Sequence, residues 1–133
     1  RATPAMVTPL MLACANAAEG LARSLLDAQA DVNAAASNGT TPLMAAAQGS
    51  SCALVTLLLD RRADLHATST KGWDAMMWAC SAGAEAVARL LLRSGAATHV
   101  VGADGATALS LAQRSGQPAL CRLLDSEGIY LGA

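Results

Sequence analysis

The amino-acid sequence predicts an all-α solenoid of four stacked helix–loop–helix units, and two repeated blocks support this prediction. The first block, Thr8-Pro9-Leu10-Met11, recurs at intervals of 33 residues as Thr41-Pro42-Leu43-Met44, Asp74-Ala75-Met76-Met77 and Thr107-Ala108-Leu109-Ser110. The second block, Ala30–Ala34, recurs at the same interval as Ala63–Ala67 and Ala96–Val100, and no insertion or deletion interrupts the period. A fixed period of roughly 20 to 50 residues is typical of stacked supersecondary units that bury a core only against their neighbours.

The composition fits short, closely packed helices. Hydrophobic residues make up 53% of the 133 residues, mostly as alanine and leucine, whereas aromatic residues make up only 2%. The net charge is −1 and there is no run of Lys or Arg, so a face that binds nucleic acid is not expected. No segment approaches the roughly 20 apolar residues of a membrane span. We therefore expect a single domain that binds neither nucleic acid nor membrane.

Repeat two shows how one unit is built. Asn38-Gly39 predicts a turn, because both residues tolerate positive φ. Thr41 then caps a short helix from Pro42 to Gln48, with proline at the favoured first position. Gly49-Ser50 ends this helix, and a second helix is expected from Cys52 to about Arg61, because its leucines share one broad face.

The other repeats follow the same order with a few departures. Asp74 replaces the capping threonine in repeat three, and a carboxylate is also a good N-cap. Before the second helix, repeat one has Ala17 in place of a glycine, and the glycine of repeat two is shifted to Gly49. Because of these two departures, the sequence does not predict the local turn geometry, although it still predicts the fold. After the second helix, Asp64-Leu65-His66 is expected to run extended toward the next turn.

The period, the T-P-L-x-x-A pattern, the L-L-L run and the A-D-V-N-A segment together resemble the ankyrin repeat, over essentially the whole chain. The resemblance implies antiparallel helix pairs with hairpin-like loops at right angles to them, the first helices and loops lining a concave groove. The units run over about residues 3–35, 36–68, 69–101 and 102–133. The histidine that usually follows T-P-L is absent, and Met11, Met44, Met77 and Ser110 stand there instead. Because the sequence has no initiator methionine, we expect a piece of a longer protein.

No pattern in the sequence predicts a catalytic, metal or cofactor site. The ten acidic residues are spread singly, and the glycines fall at the repeat turns, not in a G-x-S-x-G or P-loop motif. His66 and His99 share one repeat position, which places them about 10 Å apart, too far for one metal ion. The chain is therefore expected not to be an enzyme, and to need neither cofactor nor metal.

The four cysteines point to a reducing compartment. Cys14, Cys52, Cys80 and Cys121 show no C-x-x-C spacing, and scattered thiols with apolar neighbours are typical of reduced core residues. We therefore expect a cytoplasmic or nuclear location.

Two tryptophans break the repeat and mark a candidate binding surface. Trp73 stands where other repeats have Val, Thr and Ala, and Trp78 where they have Leu, Ala and Leu. An exposed tryptophan is costly unless it meets a partner, and tryptophan is enriched at binding hot spots. Trp78 is equally consistent with a packing role. The resemblance places both at the groove, whose other predicted lining residues are Lys71, Asn38, Thr40, Met44, Gln48, Met77, Ser81, Asp104 and Arg114.

The predicted function is that of a protein–protein interaction module, which binds a partner protein or short linear peptide in this groove. The alternatives are a non-catalytic accessory domain of a larger enzyme, a structural spacer and, as a minor alternative, a methyl-lysine reader, which needs several aromatics and an acid around one ammonium. A monomer is favoured, although the oligomeric state is not fixed by the pattern. Asn33 resembles the target of asparaginyl hydroxylation in ankyrin proteins. It is also consistent with a structural residue that ties its loop to the neighbouring repeat.

Overall fold

The computed structural model describes residues 8–36, 38–96, 100–122 and 124. Its helices are, in chain order, α1 (Pro9–Ala15), α2 (Glu19–Asp27), α3 (Pro42–Gln48), α4 (Cys52–Asp60), α5 (Ala75–Ala82), α6 (Glu85–Arg93) and α7 (Ala108–Arg114). Residues 118–122 are also helical and belong to the second helix of repeat four. The predicted all-α architecture is confirmed, and the only pairing of β type among the described residues is an isolated bridge between Val101 and Thr107.

The helices form two layers. The first helices of the repeats, α1, α3, α5 and α7, pack side by side in chain order, and α2, α4 and α6 form a second layer behind them. Neighbouring first helices contact each other more extensively than neighbouring second helices do. Short, alanine-rich helices can approach closely, which fits the extensive contact between neighbouring first helices. In the described part of the chain, no helix is long and apolar enough to cross a membrane.

Every first helix begins with a side-chain cap at the same repeat position. The capping residue has an extended backbone, and its side-chain oxygen accepts a hydrogen bond from the N–H of the third helical residue, over 3.0 to 3.3 Å. These capping residues are Thr8, Thr41, Asp74 and Thr107. The cap satisfies a backbone donor that has no partner inside the helix, so it fixes where each helix begins.

The turn between the two helices of a repeat is the same in all four units. The residue two positions before the second helix has a left-handed backbone, with φ of +56° at Ala17, +61° at Ser50, +71° at Gly83 and +70° at Gly116. The turn geometry, which the sequence left open, is therefore the same in repeats one and two, although alanine and serine stand there in place of glycine. Gly49, by contrast, has an ordinary φ of −78°.

Hairpin loops connect the repeats and stack on one another. Glycines with φ between +76° and +82° form their turns, at Gly39, Gly72 and Gly105. Each hairpin also bonds the next, since Thr70 N donates to the carbonyl of Asn38 at 2.9 Å and Ala103 N donates to that of Lys71 at 2.7 Å. The hairpins therefore form a continuous edge beside the first helices.

The segment that leads from α4 to the hairpin is not extended as predicted. Leu65 and His66 lie in a turn, and the backbone N–H of His66 donates to Asp64 Oδ1 at 2.9 Å. The same local bond joins Asn33 N to Asp31 Oδ1 at 2.9 Å in repeat one. Short aspartate side chains that bond the backbone two residues ahead favour a turn over an extended chain.

Candidate functional site

A small polar cavity lies between the hairpins of repeats two and three. Its volume is about 100 Å³, and its lining residues are Asn38, Thr40, Ser69, Thr70, Lys71 and Trp78. The hydrogen bond from Thr70 N to Asn38 O holds the two hairpins side by side and so forms one wall. Hydroxyl, amide, ammonium and indole groups surround the space, and no carboxylate is among them.

Lys71 lies over a pair of tryptophans at this cavity. The ring centroids of Trp73 and Trp78 are 4.8 Å apart, with the planes tilted by 60°. The Nζ atom of Lys71 lies 5.2 Å from the centroid of Trp73 and 5.6 Å from that of Trp78, within the range of cation–π attraction. Lys71 is exposed and Trp78 is half-buried, so both present surface to a partner.

The expectation that Trp73 is an exposed contact residue is wrong. Only 7% of Trp73 is exposed, because its ring packs over Gly102 of the next hairpin. Its indole Nε1 lies 3.5 Å from Asp104 Oδ1, a long hydrogen bond to the same hairpin. Trp73 therefore has a packing role, because it joins repeat three to the hairpin of repeat four. Trp78 is the tryptophan that reaches the surface.

The indole N–H of Trp78 is an unusual feature of this site. Its Nε1 atom is buried and has no hydrogen-bond partner among the described residues. An unsatisfied buried donor costs about 1 to 3 kcal/mol, so native proteins usually supply a partner in the form of protein, water or ligand.

The remaining predicted groove residues divide by their position in the repeat. Met44 and Met77 were expected at the surface but are each only 1% exposed, because their side chains enter the core between neighbouring first helices. Thr40 is half-buried. The exposed members of the set are Asn38, Gln48, Lys71, Ser81, Asp104 and Arg114. The cavity brings together Asn38, Thr40, Lys71 and Trp78, and the others lie outside its lining.

Sequence reasoning missed two residues that line the cavity, Ser69 and Thr70. Ser69 is 8% exposed, and its Oγ accepts a hydrogen bond from Lys71 N at 3.3 Å. One signal was available, since a serine stands where the neighbouring repeats have the small residues Ala36 and Gly102. Thr70 carries no such signal, and only the stacking of hairpins brings it against Asn38.

Asp104 extends the polar surface onto the next hairpin. Its carboxylate accepts a hydrogen bond from Ala106 N at 3.1 Å, and this bond, the indole N–H of Trp73 and the positive charge of Arg114 hold the pKa of Asp104 below its usual value. The carboxylate of Asp104 is thus already supplied with donors from its own and neighbouring elements.

Asn33 bonds the loop of repeat one to repeat two through both ends of its side chain. Its Nδ2 donates to the carbonyl of Arg62 at 3.3 Å, and its Oδ1 accepts from Asp64 N at 2.6 Å. These contacts give Asn33 a structural role, while hydroxylation of this residue stays a prediction. His99 lies outside the described residues, so the expected separation of the histidine pair stays a prediction as well.

All four cysteines are free thiols. Burial raises the pKa of Cys14 to about 11 and, together with the nearby charge of Asp74, that of Cys80 to about 12. Cys52 and Cys121 are half-buried and so lie at the edge of the core that the sequence predicted for them. Within the described ranges, no group of three or more His, Cys, Asp or Glu side chains is placed to hold a metal ion.

Comparison with known families agrees with this architecture. A family model described as ankyrin repeats (three copies) matches residues 3–69 and 48–132. The chain therefore belongs to the ankyrin-repeat family, as its sequence predicted. Domains of this family are generally protein–protein interaction modules and typically non-catalytic. A comparison with curated proteins gave no match.

Proposed function

We propose that this chain is a non-catalytic module that binds a peptide segment of a partner protein along the face formed by its first helices and hairpins. The observation that carries the proposal is the cavity beside Trp78. There a half-buried tryptophan, an exposed lysine and several small polar side chains converge on one space. A partly buried aromatic anchor beside directional polar groups is the arrangement that recurs at interface hot spots.

The exposed residues of this face repeat along the stack. Asn38, Lys71 and Asp104 share one repeat position at the tip of successive hairpins. Packed helices are spaced about 8 to 10 Å apart and an extended chain rises about 3.3 Å per residue, so about three peptide residues would span one repeat. A short extended peptide could then contact successive hairpins in register.

The rigidity of the stack also supports binding of this kind. Side-chain caps fix the start of each first helix, and backbone hydrogen bonds join adjacent hairpins. Little ordering of the module is then needed on association, which reduces the entropic cost of binding. The four free thiols support the further proposal of a reducing location, in the cytoplasm or nucleus.

Selection from a random peptide library tests the proposal. We expect the wild-type chain to enrich binders, and Trp78→Ala to weaken a selected peptide by about tenfold or more, because hot-spot truncation costs about 2 kcal/mol. Alanine is already present at the equivalent position, Ala45, so the exchange is compatible with a first helix.

Leu21→Ala is the matched control. Leu21 is 54% exposed on α2, in the second-helix layer, and its truncation should leave peptide affinity unchanged. Circular dichroism would establish that both variants fold. If the wild type enriches no peptide, or if Trp78→Ala binds as tightly as the wild type, the proposal is wrong and a spacer or accessory role becomes the better interpretation.

A further inference from the structure

The cavity beside Trp78 is lined by several hydrogen-bond donors and by one positively charged residue, Lys71. Its lining residues carry the ammonium of Lys71, the amide of Asn38 and the hydroxyls of Thr40, Ser69 and Thr70, together with the ring of Trp78. Lys71 forms no ion pair within the part of the chain that the structure describes. The site thus has a cation whose charge is not neutralised by an acid of its own lining.

The buried indole N–H of Trp78 adds a second, independent observation. It is a hydrogen-bond donor only, and no acceptor meets it among the described residues. Water can occupy a cavity of about 100 Å³ in the free protein. The indole nitrogen itself is closed to water, so an oxygen of a ligand in the cavity reaches it only when the Trp78 ring turns toward the cavity.

The charge already in place argues against a cationic ligand. An aromatic cage for methylated lysine needs its rings free and an acid beside them. Here the ammonium of Lys71 itself lies over both indoles. Asp104, the acid predicted for the groove, accepts a hydrogen bond from Ala106 N and lies against the indole N–H of Trp73. A second cation would be repelled by Lys71, whereas an anion would be attracted to it.

We propose that this cavity binds a carboxylate of the partner peptide. The Lys71 side chain, which is exposed, turns its ammonium toward the carboxylate, and the neighbouring hydroxyls donate to its oxygens, joined by the indole N–H of Trp78 once its ring turns toward the cavity. The carboxylate comes either from an Asp or Glu side chain or from the peptide's own C-terminus. This inference rests on the proposed function, and it determines which peptides the groove selects.

Three peptide libraries with amidated C-termini test the inference, with the central residue fixed as Glu, as Gln or as trimethyl-lysine. A fourth library with a free C-terminal carboxylate separates the two sources of the anion. We expect the wild-type chain to retain the Glu library or the free-carboxylate library about tenfold better than the Gln library, in keeping with the strength of a charge-assisted hydrogen bond. For a selected peptide, replacing the carboxylate by an amide should lower the affinity by the same factor.

Lys71→Met is the diagnostic variant, because it keeps an apolar stem over the indoles and removes the charge. We expect it to bind the carboxylate and amide forms of a peptide equally. Arg93→Met, at an exposed residue on α6 in the second-helix layer, makes the same change in net charge and should keep the preference. The chain has two tryptophans, so their indole N–H resonances report the site directly, and that of Trp78 should move downfield with the carboxylate peptide only.

Each other result overturns the inference in a recognisable way. Equal retention of the Glu and Gln libraries, with no advantage for a free C-terminus, would show that peptide binding does not depend on a carboxylate. Preference for trimethyl-lysine would show an aromatic cage. If Lys71→Met keeps the carboxylate preference, the anion is bound elsewhere. If no library binds to the wild type, the proposed function fails together with this inference.

Discussion

The ring of Trp73 packs directly over Gly102, so closely that a Cβ on Gly102 would lie 2.7 Å from Trp73 Cδ1. In the preceding pair of repeats the equivalent positions are Thr40 and Ser69. The large residue in repeat three and the missing side chain in repeat four are therefore complementary departures from the same period. This pairing explains why a tryptophan that breaks the pattern is buried and does not reach the surface.

Gly102→Ala should destabilise the fold by about 1 to 3 kcal/mol, the usual cost of overpacking. The added methyl group would collide with a rigid ring that is held by its own packing. The free energy of unfolding in urea measures the effect. In a Trp73→Thr background, which restores the residue of repeat two, the same substitution should cost much less, and equal costs in the two backgrounds would contradict the pairing.

Ser50→Gly should stabilise the chain by about 0.5 to 1 kcal/mol. Ser50 has φ of +61°, a conformation that is strained for a residue with a Cβ, and glycine already stands there in repeats three and four. The matched control is Ala53→Gly, at an exposed position inside α4, which should destabilise by about 1 kcal/mol. Denaturation midpoints distinguish the two signs.

Asp74→Asn should raise stability at neutral pH. Asp74 is 2% exposed, and burial raises its pKa above the ordinary value of 3.8, although the N–H of Met77 and the charge of His66 oppose this shift. The native state therefore holds the proton more tightly than the unfolded state does. Stability falls as pH rises from 3.8 through the native pKa, and the whole cost is present above it.

The asparagine variant keeps the shape and the cap while removing the charge, so its advantage over the wild type should shrink at pH values below 3.8. Urea titrations of both proteins at several pH values measure this difference. An advantage that does not change with pH would show that desolvation of the carboxylate is not its cause.

Asn33→Ala should cost about 1 to 2 kcal/mol, because it removes both hydrogen bonds that join the loop of repeat one to Arg62 and Asp64. Asn16→Ala provides the control, since Asn16 is exposed and makes no side-chain hydrogen bond within the described part of the chain. Thermal and urea unfolding compare the two variants. If Asn33→Ala were as stable as Asn16→Ala, water would replace the hydrogen bonds of Asn33 at no cost in free energy.

The thiols should separate into two kinetic classes in the folded protein. Cys14 and Cys80 are fully buried, and their raised pKa values, about 11 and about 12, leave almost no thiolate at neutral pH. Cys52 and Cys121 are partly exposed and should react with a chromogenic disulfide reagent well before them. Denaturant should abolish the difference. Reaction of Cys14 at the rate of Cys52 in the native state would contradict the packing described here.

Much of the fold was predictable because each signal acts within one repeat. The caps at Thr41 and Asp74 and the helix Pro42–Gln48 follow from nearest neighbours along the chain, and the structure has them where they were predicted. The turn at Leu65–His66 was mispredicted although its cause is local, since the bonding capacity of Asp64 was not taken into account.

The candidate site was less predictable because its members come from different repeats. The polar hairpin residue Lys71 was found from its repeat position, whereas Met44 and Met77 were assigned to the surface from the same kind of reasoning and are buried. The burial of these two methionines depends on how closely neighbouring first helices pack, and the sequence of a single repeat does not predict that. Thr70 enters the cavity through a hydrogen bond to the preceding hairpin, and that contact is likewise invisible in one unit.

The sequence by itself determined the period, the helices, the caps and the family, because short stretches of chain specify local geometry and a repeated apolar face. The tertiary structure alone decided that Trp73 is buried and Trp78 only half-buried. Trp73 and Trp78 are similar in sequence terms, but the absence of a side chain at Gly102 opens space for one ring and not for the other. Exposure follows from the fit between neighbouring repeats, and that fit exists only once the repeats are stacked.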